Sequence, residues 1–294
     1  MTGARRPGIE GLRLAGAFGA VWFAMQAPGF RVGYASLGLF AILGAFFAAR
    51  VSREAGAAPF LRARRHRLGL PWLVWSGFYL CVNAALLRDP VAALTPRTPL
   101  ALLIGPSPHL WFLPFLLIVS VVMIALEPVT REARGRAGLV VLGIPIAVGC
   151  FWIQTFVLPP APFAQWCYAI PCVIFGVLSA QAKAGGGWRW APLGFIAVVA
   201  AISYALGATE DVAPALLAAV LFEAVWRFDP PGDWMRAAGG LAYGTYLAHP
   251  VFLLVYYKLF PGANGGAVAA LFVFGLSLAA AAALKRLPAT RRLV

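Results

Sequence analysis

Two histidines of this chain stand in apolar runs where an imidazole is unusual. His109 begins HLWFLPFLL, and His249 lies within YGTYLAHPVFLL. An imidazole that faces water in such surroundings can take a proton from a hydroxyl group as a general base, or donate a hydrogen bond to it. Each also has a purely structural interpretation: His109 as an interfacial side chain partnered with Trp111 in an aromatic belt, and His249 as a polar clamp between helices. The residue types alone do not decide between the catalytic and the structural interpretation of either histidine.

Neighbouring residues predict where each imidazole lies. Ser107 and Pro108 are typical of an N-cap and the first position of a helix, which places His109 in the first turn. His249 falls near the middle of an apolar segment, where an ionisable group facing lipid is costly, so it must face protein or water. The next residue is a proline, which has no N–H to donate to the carbonyl of Tyr246. This leaves a free acceptor beside the imidazole.

A second group of candidates is basic. Glu10 and Arg13 lie one helical turn apart in GIEGLRLAG, and Arg64 and Arg67 are likewise one turn apart in FLRARRHRLGLPW. Guanidinium groups bind phosphate bidentately and keep their charge, so these arginines would suit a phosphate-bearing ligand. The alternative is control of membrane topology, the usual role of arginines at the cytoplasmic ends of apolar segments.

Membrane helices must position these candidates. Hydrophobic residues make up 62% of the 294 residues, charged residues make up 12%, and the mean hydropathy is +0.82, all far from the values of a soluble domain. We count ten apolar windows long enough to cross about 30 Å of hydrocarbon as helices. The sequence therefore predicts one all-α polytopic helical bundle over residues 1–294, with no separate soluble domain. The predicted spans are Ile9 to Ala27, Val32 to Val51, Leu68 to Leu87, His109 to Leu126, Ala137 to Val157, Trp166 to Ala182, Trp190 to Leu206, Val212 to Trp226, Ala237 to Leu259 and Gly265 to Ala283.

Charge is distributed unevenly across these spans. With the amino terminus inside, all but four of the 24 lysines and arginines fall in cytoplasmic segments, the exceptions being Arg31, Arg88, Arg97 and Lys258. We therefore predict a multi-pass protein of the inner (plasma) membrane with both termini in the cytoplasm. The net charge of +14 does not indicate nucleic-acid binding, which needs a basic face on a folded soluble module. Glu223, about one turn from the cytoplasmic end of the eighth span, is expected to reach water.

Five segments, in order along the chain, carry a resemblance to a known family. They are IEGLRLAGAF, LGLFAILGAFF with Gly44, the run from Phe60 to Tyr79 with Arg64, Arg67, Pro71 and Trp75, then HLWFLPFLL and YGTYLAHPVF. Together they resemble the membrane-bound acyltransferase 3 family of bacterial envelope acyltransferases over nearly the whole chain. Glu10 stands where that family has an aspartate, and Arg13 stands at its arginine.

The resemblance implies transfer of an acyl group, commonly acetyl, from cytoplasmic acyl-CoA (acetyl-CoA) to a hydroxyl of a glycan or lipid-linked sugar outside the cytoplasm. No metal is expected. The bundle, embedded in the lipid bilayer, would then contain one polar cavity that joins a basic inner mouth to the outer face. The expected site residues are Arg13, Arg64 and Arg67 for the donor phosphates, His109 and His249 for catalysis, and Glu10, Tyr246 and Trp111 in support of them.

One departure from the family bears on activity. The family places a histidine, taken as its general base, about eleven residues beyond the arginine of the first helix, and that position is Ala24 here. Three interpretations follow. The first is an active O-acyltransferase in which His109, or with less support His249, is the base. The second is a family member that has lost its chemistry and acts in binding, regulation or transport, and the third is an unrelated carrier or flippase.

The acceptor side is less well defined by sequence. The longest outer loop, from Arg88 to Pro108, is rich in proline and leads directly into His109. Because the other outer loops are short and carry little polar character, we expect this segment to supply most of the acceptor specificity. A partner protein could supply the rest.

Overall fold

The computed structural model describes residues 6–86, 101–185 and 188–294, and within these ranges every regular element is a helix. The prediction of an all-helical chain is therefore confirmed for the described residues. A π-helical turn covers Arg65–Gly69, and a 3-10 turn covers Pro108–Trp111. The α-helices are α1 (Pro7–Ala24), α2 (Phe30–Gly33), α3 (Ala35–Ala55), α4 (Ala57–Arg64), α5 (Leu70–Leu86), α6 (Ala101–Ile104), α7 (Phe112–Arg131), α8 (Ala133–Phe156), α9 (Phe163–Ala182), α10 (Ala191–Ala205), α11 (Val212–Phe228), α12 (Asp233–Gly239), α13 (Ala242–Leu259) and α14 (Ala267–Arg286).

Several of these helices have the dimensions of membrane spans. Six helical segments of the described chain are long and apolar enough to cross a bilayer, and α12 with α13, bent by 52° at the break between them, would make a seventh. The protein is thus a multi-pass helical membrane protein, as the sequence indicates. Each of the ten predicted spans overlaps at least one described helix, but α10 and α11 hold only 15 and 17 residues. The number of helices that cross the bilayer stays a prediction.

The third predicted span begins earlier than the sequence suggests. Helix α4, the π turn and α5 form one helical segment from Ala57 to Leu86, whereas the apolar window starts at Leu68. Arginines are good helix formers, so the basic stretch before Leu68 extends the helix toward water rather than ending it. Arg64 and Arg67 are therefore carried on helical backbone and not on a loop.

Close packing around α3 forms the centre of the bundle. Helix α9 lies against α3 so closely that a Cβ added at Gly176 would come within 2.5 Å of the Ile42 carbonyl oxygen. Small residues at a helix contact allow the backbones to approach, and between helices in lipid such packing is a main source of association. On another side of α3, Gly44 leaves room for Leu116 of α7, whose Cδ2 would lie 2.7 Å from an added Cβ. These contacts fix α3 and α7 beside the site described below.

A buried ionic cluster lies between α9 and α11. Glu223 is only 5% exposed, and one carboxylate oxygen accepts hydrogen bonds from Lys183 Nζ at 2.6 Å and from Ser179 Oγ at 3.3 Å. Arg227 Nε lies 3.7 Å from the other oxygen. The expectation that Glu223 reaches water is wrong, because the end of α9 brings Ser179 and Lys183 directly onto the carboxylate.

Candidate active site

The first of two cavities lies at the basic end of α1. It encloses about 670 Å³, and Glu10 and Arg13 of α1 line it together with Arg64 and Arg67. The structure thus brings Arg13 together with Arg64 and Arg67, which are far from it in sequence. His66 lines the same cavity. We name this space the inner cavity.

Glu10 and Arg13 form an ion pair in the wall of the inner cavity. Arg13 Nη1 donates to Glu10 Oε1 at 3.0 Å, and the Glu10 side chain is almost fully buried. Helix α12 crosses α1 at this point, where a Cβ added at Gly239 would stand 2.6 Å from the Glu10 Cβ. The other carboxylate oxygen of Glu10 is buried and has no hydrogen-bond partner in the part of the chain that the structure describes. Glu10 therefore orients the Arg13 guanidinium, which also lies 5.1 Å from the centre of the Phe47 ring.

Arg64 and Arg67 are held by contacts that leave their charges unneutralised. The Arg64 guanidinium lies 5.1 Å from the centre of the Phe60 ring, and the Tyr243 hydroxyl donates to the Arg67 carbonyl at 3.3 Å. Among the described residues neither guanidinium has a carboxylate within 4.0 Å. Two uncompensated guanidinium groups in a cavity wall attract an anion, and phosphate matches their bidentate geometry.

The second cavity lies at the other end of α1. It encloses about 700 Å³ and is lined by Ala24 of α1, by His109 and Trp111, and by His249 of α13. We name this space the outer cavity. Both histidines that the sequence singles out therefore share one space with the position where the family has its histidine.

His249 is held in one tautomer. Its Nδ1 is 2.6 Å from the Tyr246 carbonyl oxygen, the acceptor that the following proline leaves free. A carbonyl oxygen can only accept a hydrogen bond, so Nδ1 carries the proton, and Nε2 of the neutral ring keeps its lone pair. This is the arrangement that a general base requires, with one nitrogen oriented by a hydrogen bond and the other able to accept a proton.

His109 is placed differently. It lies in the 3-10 turn that starts at Pro108, with Nδ1 3.0 Å from Ser107 Oγ and its ring centre 5.3 Å from that of His249. Its Nε2 is buried and without a partner in the described ranges. Trp111 is only 4% exposed, so the interpretation of the two residues as an interfacial aromatic belt is wrong. The 3-10 turn directs both side chains into the protein.

Tyr246 lines both cavities. Its hydroxyl donates to the His109 carbonyl at 2.8 Å, and its ring packs edge-on against Phe40 and Phe112 at centroid distances of 5.4 and 6.2 Å. Where the sequence predicts a single continuous cavity, the structure has two cavities that share Tyr246 in their walls.

A protein-family model matches most of the chain. The model of the acyltransferase domain of the acyltransferase 3 family matches residues 11–286. The chain belongs to the acyltransferase 3 family. No curated protein and no solved structure matches it. Family membership indicates a membrane acyltransferase. The match covers the residues that line the outer cavity and, of those that line the inner cavity, the ones from Arg13 of α1 to Lys285 of α14.

Acidic residues of this acyltransferase 3 protein also line the outer cavity, and sequence reasoning missed them. Glu210 and Asp211 lie there with Arg31, whose Nη1 is 3.8 Å from a Glu210 carboxylate oxygen. Partial burial, with the neighbouring Glu210 charge, raises the pKa of the Asp211 carboxyl above its usual range. Of the loop from Arg88 to Pro108, which is expected to supply acceptor specificity, residues 88–100 lie outside the described part of the chain. Ser107 and Pro108 line the outer cavity, as the two acidic residues do.

The inner cavity has three further basic residues that were assigned to topology alone. Lys285, Arg291 and Arg292 line it beside Arg64 and Arg67. Their only signal in the sequence is a basic stretch after the last span, which is also what the positive-inside rule produces. Nothing in the spacing indicates that this stretch folds back onto the cavity.

Proposed function

We propose that this acyltransferase 3 protein moves an acyl group, acetyl in the simplest case, from cytoplasmic acyl-CoA to a hydroxyl of an extracytoplasmic glycan or lipid-linked sugar. One observation carries the proposal. A basic cavity and a histidine-containing cavity lie at opposite ends of α1 and meet at Tyr246. A charged donor and a hydroxyl acceptor could thus enter from opposite sides and react near their junction.

The donor side is supported by charge. CoA carries a diphosphate and a phosphate monoester, and the inner cavity presents Arg64 and Arg67 without carboxylate partners within the described ranges. Arg13 is partly neutralised by Glu10 and would act as a third, weaker contact. The thioester end of CoA is uncharged, so it can leave the basic region and extend toward Tyr246.

The transfer step assigns the base role to His249. As the acceptor hydroxyl oxygen bonds to the thioester carbonyl carbon, the hydroxyl proton moves to His249 Nε2. The C–S bond then breaks, and the CoA thiolate leaves and takes the proton from the imidazolium. The Tyr246 carbonyl, which accepts from Nδ1, holds the ring and stabilises its charged form. His109 packs against His249 and positions it, which reverses the order of preference that the sequence suggests.

Orientation in the membrane is part of the same proposal. We propose that the protein lies in the inner (plasma) membrane and crosses it ten times, with both termini in the cytoplasm. The inner cavity would then lie on the cytoplasmic side, where acyl-CoA is made. The outer cavity would then face the glycan or lipid-linked sugar. A partner protein could bring such an acceptor to the cavity mouth.

A second candidate function is favoured by Ala24. The acyltransferase 3 family has a histidine at this position, and without it the chain would keep the fold and cavities while acting in binding, regulation or transport. The two candidates differ in turnover and not in ligand binding. Both predict acyl-CoA in the inner cavity, whereas only the first predicts labelled product.

Labelled acetyl-CoA supplied to membranes that contain the protein tests the proposal. The wild type should transfer label to an extracytoplasmic acceptor, and Arg64→Ala, Arg67→Ala and His249→Ala should each lower the transfer. Equal labelling in all four samples would refute the site assignment. Binding of acetyl-CoA without any labelled product in the wild type would favour the second candidate.

A further inference from the structure

The segment 287–294 folds back from the end of α14 onto the inner cavity. Thr290 Oγ1 donates to the Leu284 carbonyl at 2.6 Å, and Trp75 Nε1 donates to the Leu293 carbonyl at 3.1 Å. Val294 packs on α13, where a Cβ added at Gly244 would lie 2.7 Å from the Cβ of Val294. These contacts give the segment a fixed position against α5 and α13.

This fold places two arginines at the cavity mouth. Arg291 and Arg292 line the inner cavity together with Lys285, whose Nζ donates to the Gly240 carbonyl at 3.0 Å. Neither arginine has a carboxylate within 4.0 Å among the described residues. Among the described side chains that line the cavity, the only carboxylate is that of Glu10, which already pairs with Arg13.

Membrane topology does not explain this placement. The positive-inside rule needs basic residues near the cytoplasmic surface, but not basic residues that line a cavity. Arg286 shows the difference, because it sits beside Lys285 on α14 and is exposed like Arg291 and Arg292, yet it does not line the cavity. The hydrogen bonds of segment 287–294 instead bring Arg291 and Arg292 to the same space as Arg64.

We propose that Arg291 and Arg292, with Lys285, form a second anion subsite that takes the 3′-phosphate of CoA. This subsite rests on the proposed function, in which CoA is the donor. It adds that the protein recognises the 3′-phosphate of CoA as well as the diphosphate. A phosphate monoester carries a charge of about −1.5 to −2 at neutral pH, so it needs cations of its own beyond those on the diphosphate. Arg64 and Arg67 serve the diphosphate, and the pair from segment 287–294 serves the monoester.

The experiment compares CoA with 3′-dephospho-CoA as ligands of the purified full-length protein in lipid nanodiscs, by titration calorimetry. Charge-assisted contacts to one phosphate are expected to make CoA bind about 10- to 100-fold more tightly than dephospho-CoA. The double variant Arg291→Gln, Arg292→Gln should lose that preference, with its affinity for dephospho-CoA unchanged. Arg286→Gln is the matched control and should keep the preference in full.

The outcomes separate this inference from the proposed function. Equal wild-type affinity for the two ligands, or a double variant that loses affinity for both in the same proportion, would overturn the subsite and leave the donor assignment standing. A wild type that binds neither ligand would overturn both. A preference lost equally in Arg286→Gln would show that general surface charge, and not the two cavity arginines, is responsible.

Discussion

Replacing His249 by glutamine tests the chemistry most directly. The side chain is 5% exposed, and its Nδ1–H is held by the Tyr246 carbonyl at 2.6 Å. Glutamine can still donate to that carbonyl but cannot accept a proton at neutral pH. General-base assistance is worth about 10²- to 10⁴-fold in rate, so kcat should fall by a factor in that range. Because His249 does not line the inner cavity, the affinity for acyl-CoA should not change.

The same substitution has a small cost in stability. At most one buried hydrogen bond is weakened, which corresponds to about 1 kcal/mol, so the variant should remain folded. The assay is transfer of labelled acetyl from acetyl-CoA by purified protein in nanodiscs, with thermal unfolding measured in parallel. The pH dependence of kcat gives a second test. In the wild type one side of this profile reflects protonation of the general base, and that side should disappear in the variant.

Two companion variants make the result decisive. His109→Gln removes an imidazole that packs 5.3 Å from the His249 ring centre, and it should reduce kcat less than the loss of the base. Ala24→His, introduced into the His249→Gln background, puts an imidazole back into the outer cavity and should restore part of the lost rate. If His249→Gln changes kcat by less than about threefold while His109→Gln abolishes transfer, the base assignment is wrong.

Three further predictions concern the donor site and the fold. Arg64→Gln and Arg67→Gln should each weaken acyl-CoA binding by about tenfold or more, measured by calorimetry, and unchanged binding in both would contradict their role. Gly239→Ala should lower the free energy of unfolding by about 1–3 kcal/mol, because the new Cβ overlaps Glu10 where α12 crosses α1. An unchanged melting temperature would show that the two helices can move apart there without cost. Glu223→Ala should cost about 3–5 kcal/mol because it leaves a buried lysine without its counter-charge, and a loss below about 1 kcal/mol would mean that the lysine escapes to water.

Local sequence predicted the immediate surroundings of the histidines well. The proline after His249 correctly predicts a free carbonyl at Tyr246, and Ser107 with Pro108 correctly predicts a helical start before His109. These features depend on backbone chemistry within one or two turns, which residue identity determines. The resemblance to the acyltransferase 3 family likewise rests on short motifs, and the family model matches residues 11–286.

Features that depend on distant packing could not be predicted in the same way. From sequence alone, Glu223 is close enough to the end of its helix to reach water. Only the packing of α9 shows that Lys183 binds its carboxylate. The wall between the cavities depends on Tyr246 meeting aromatic rings from α3 and α7. In sequence, Arg291 and Arg292 look like ordinary basic residues at the cytoplasmic end of a membrane span. Only the fold of their segment reveals that they line a cavity. A single sequence contains no local signal for any of these contacts.

The aromatic wall at Tyr246 has a consequence for the membrane itself. A column of water from one face to the other would conduct protons and ions, and each elementary charge that crosses dissipates about 2.3 kcal/mol per 100 mV of potential. Because Tyr246 lies in the wall of both cavities and packs against other aromatic rings, it would keep a low-dielectric barrier between them. An uncharged thioester could pass this ring at little electrostatic cost, whereas a hydrated ion could not, so the protein could exchange a chemical group across the bilayer without short-circuiting it.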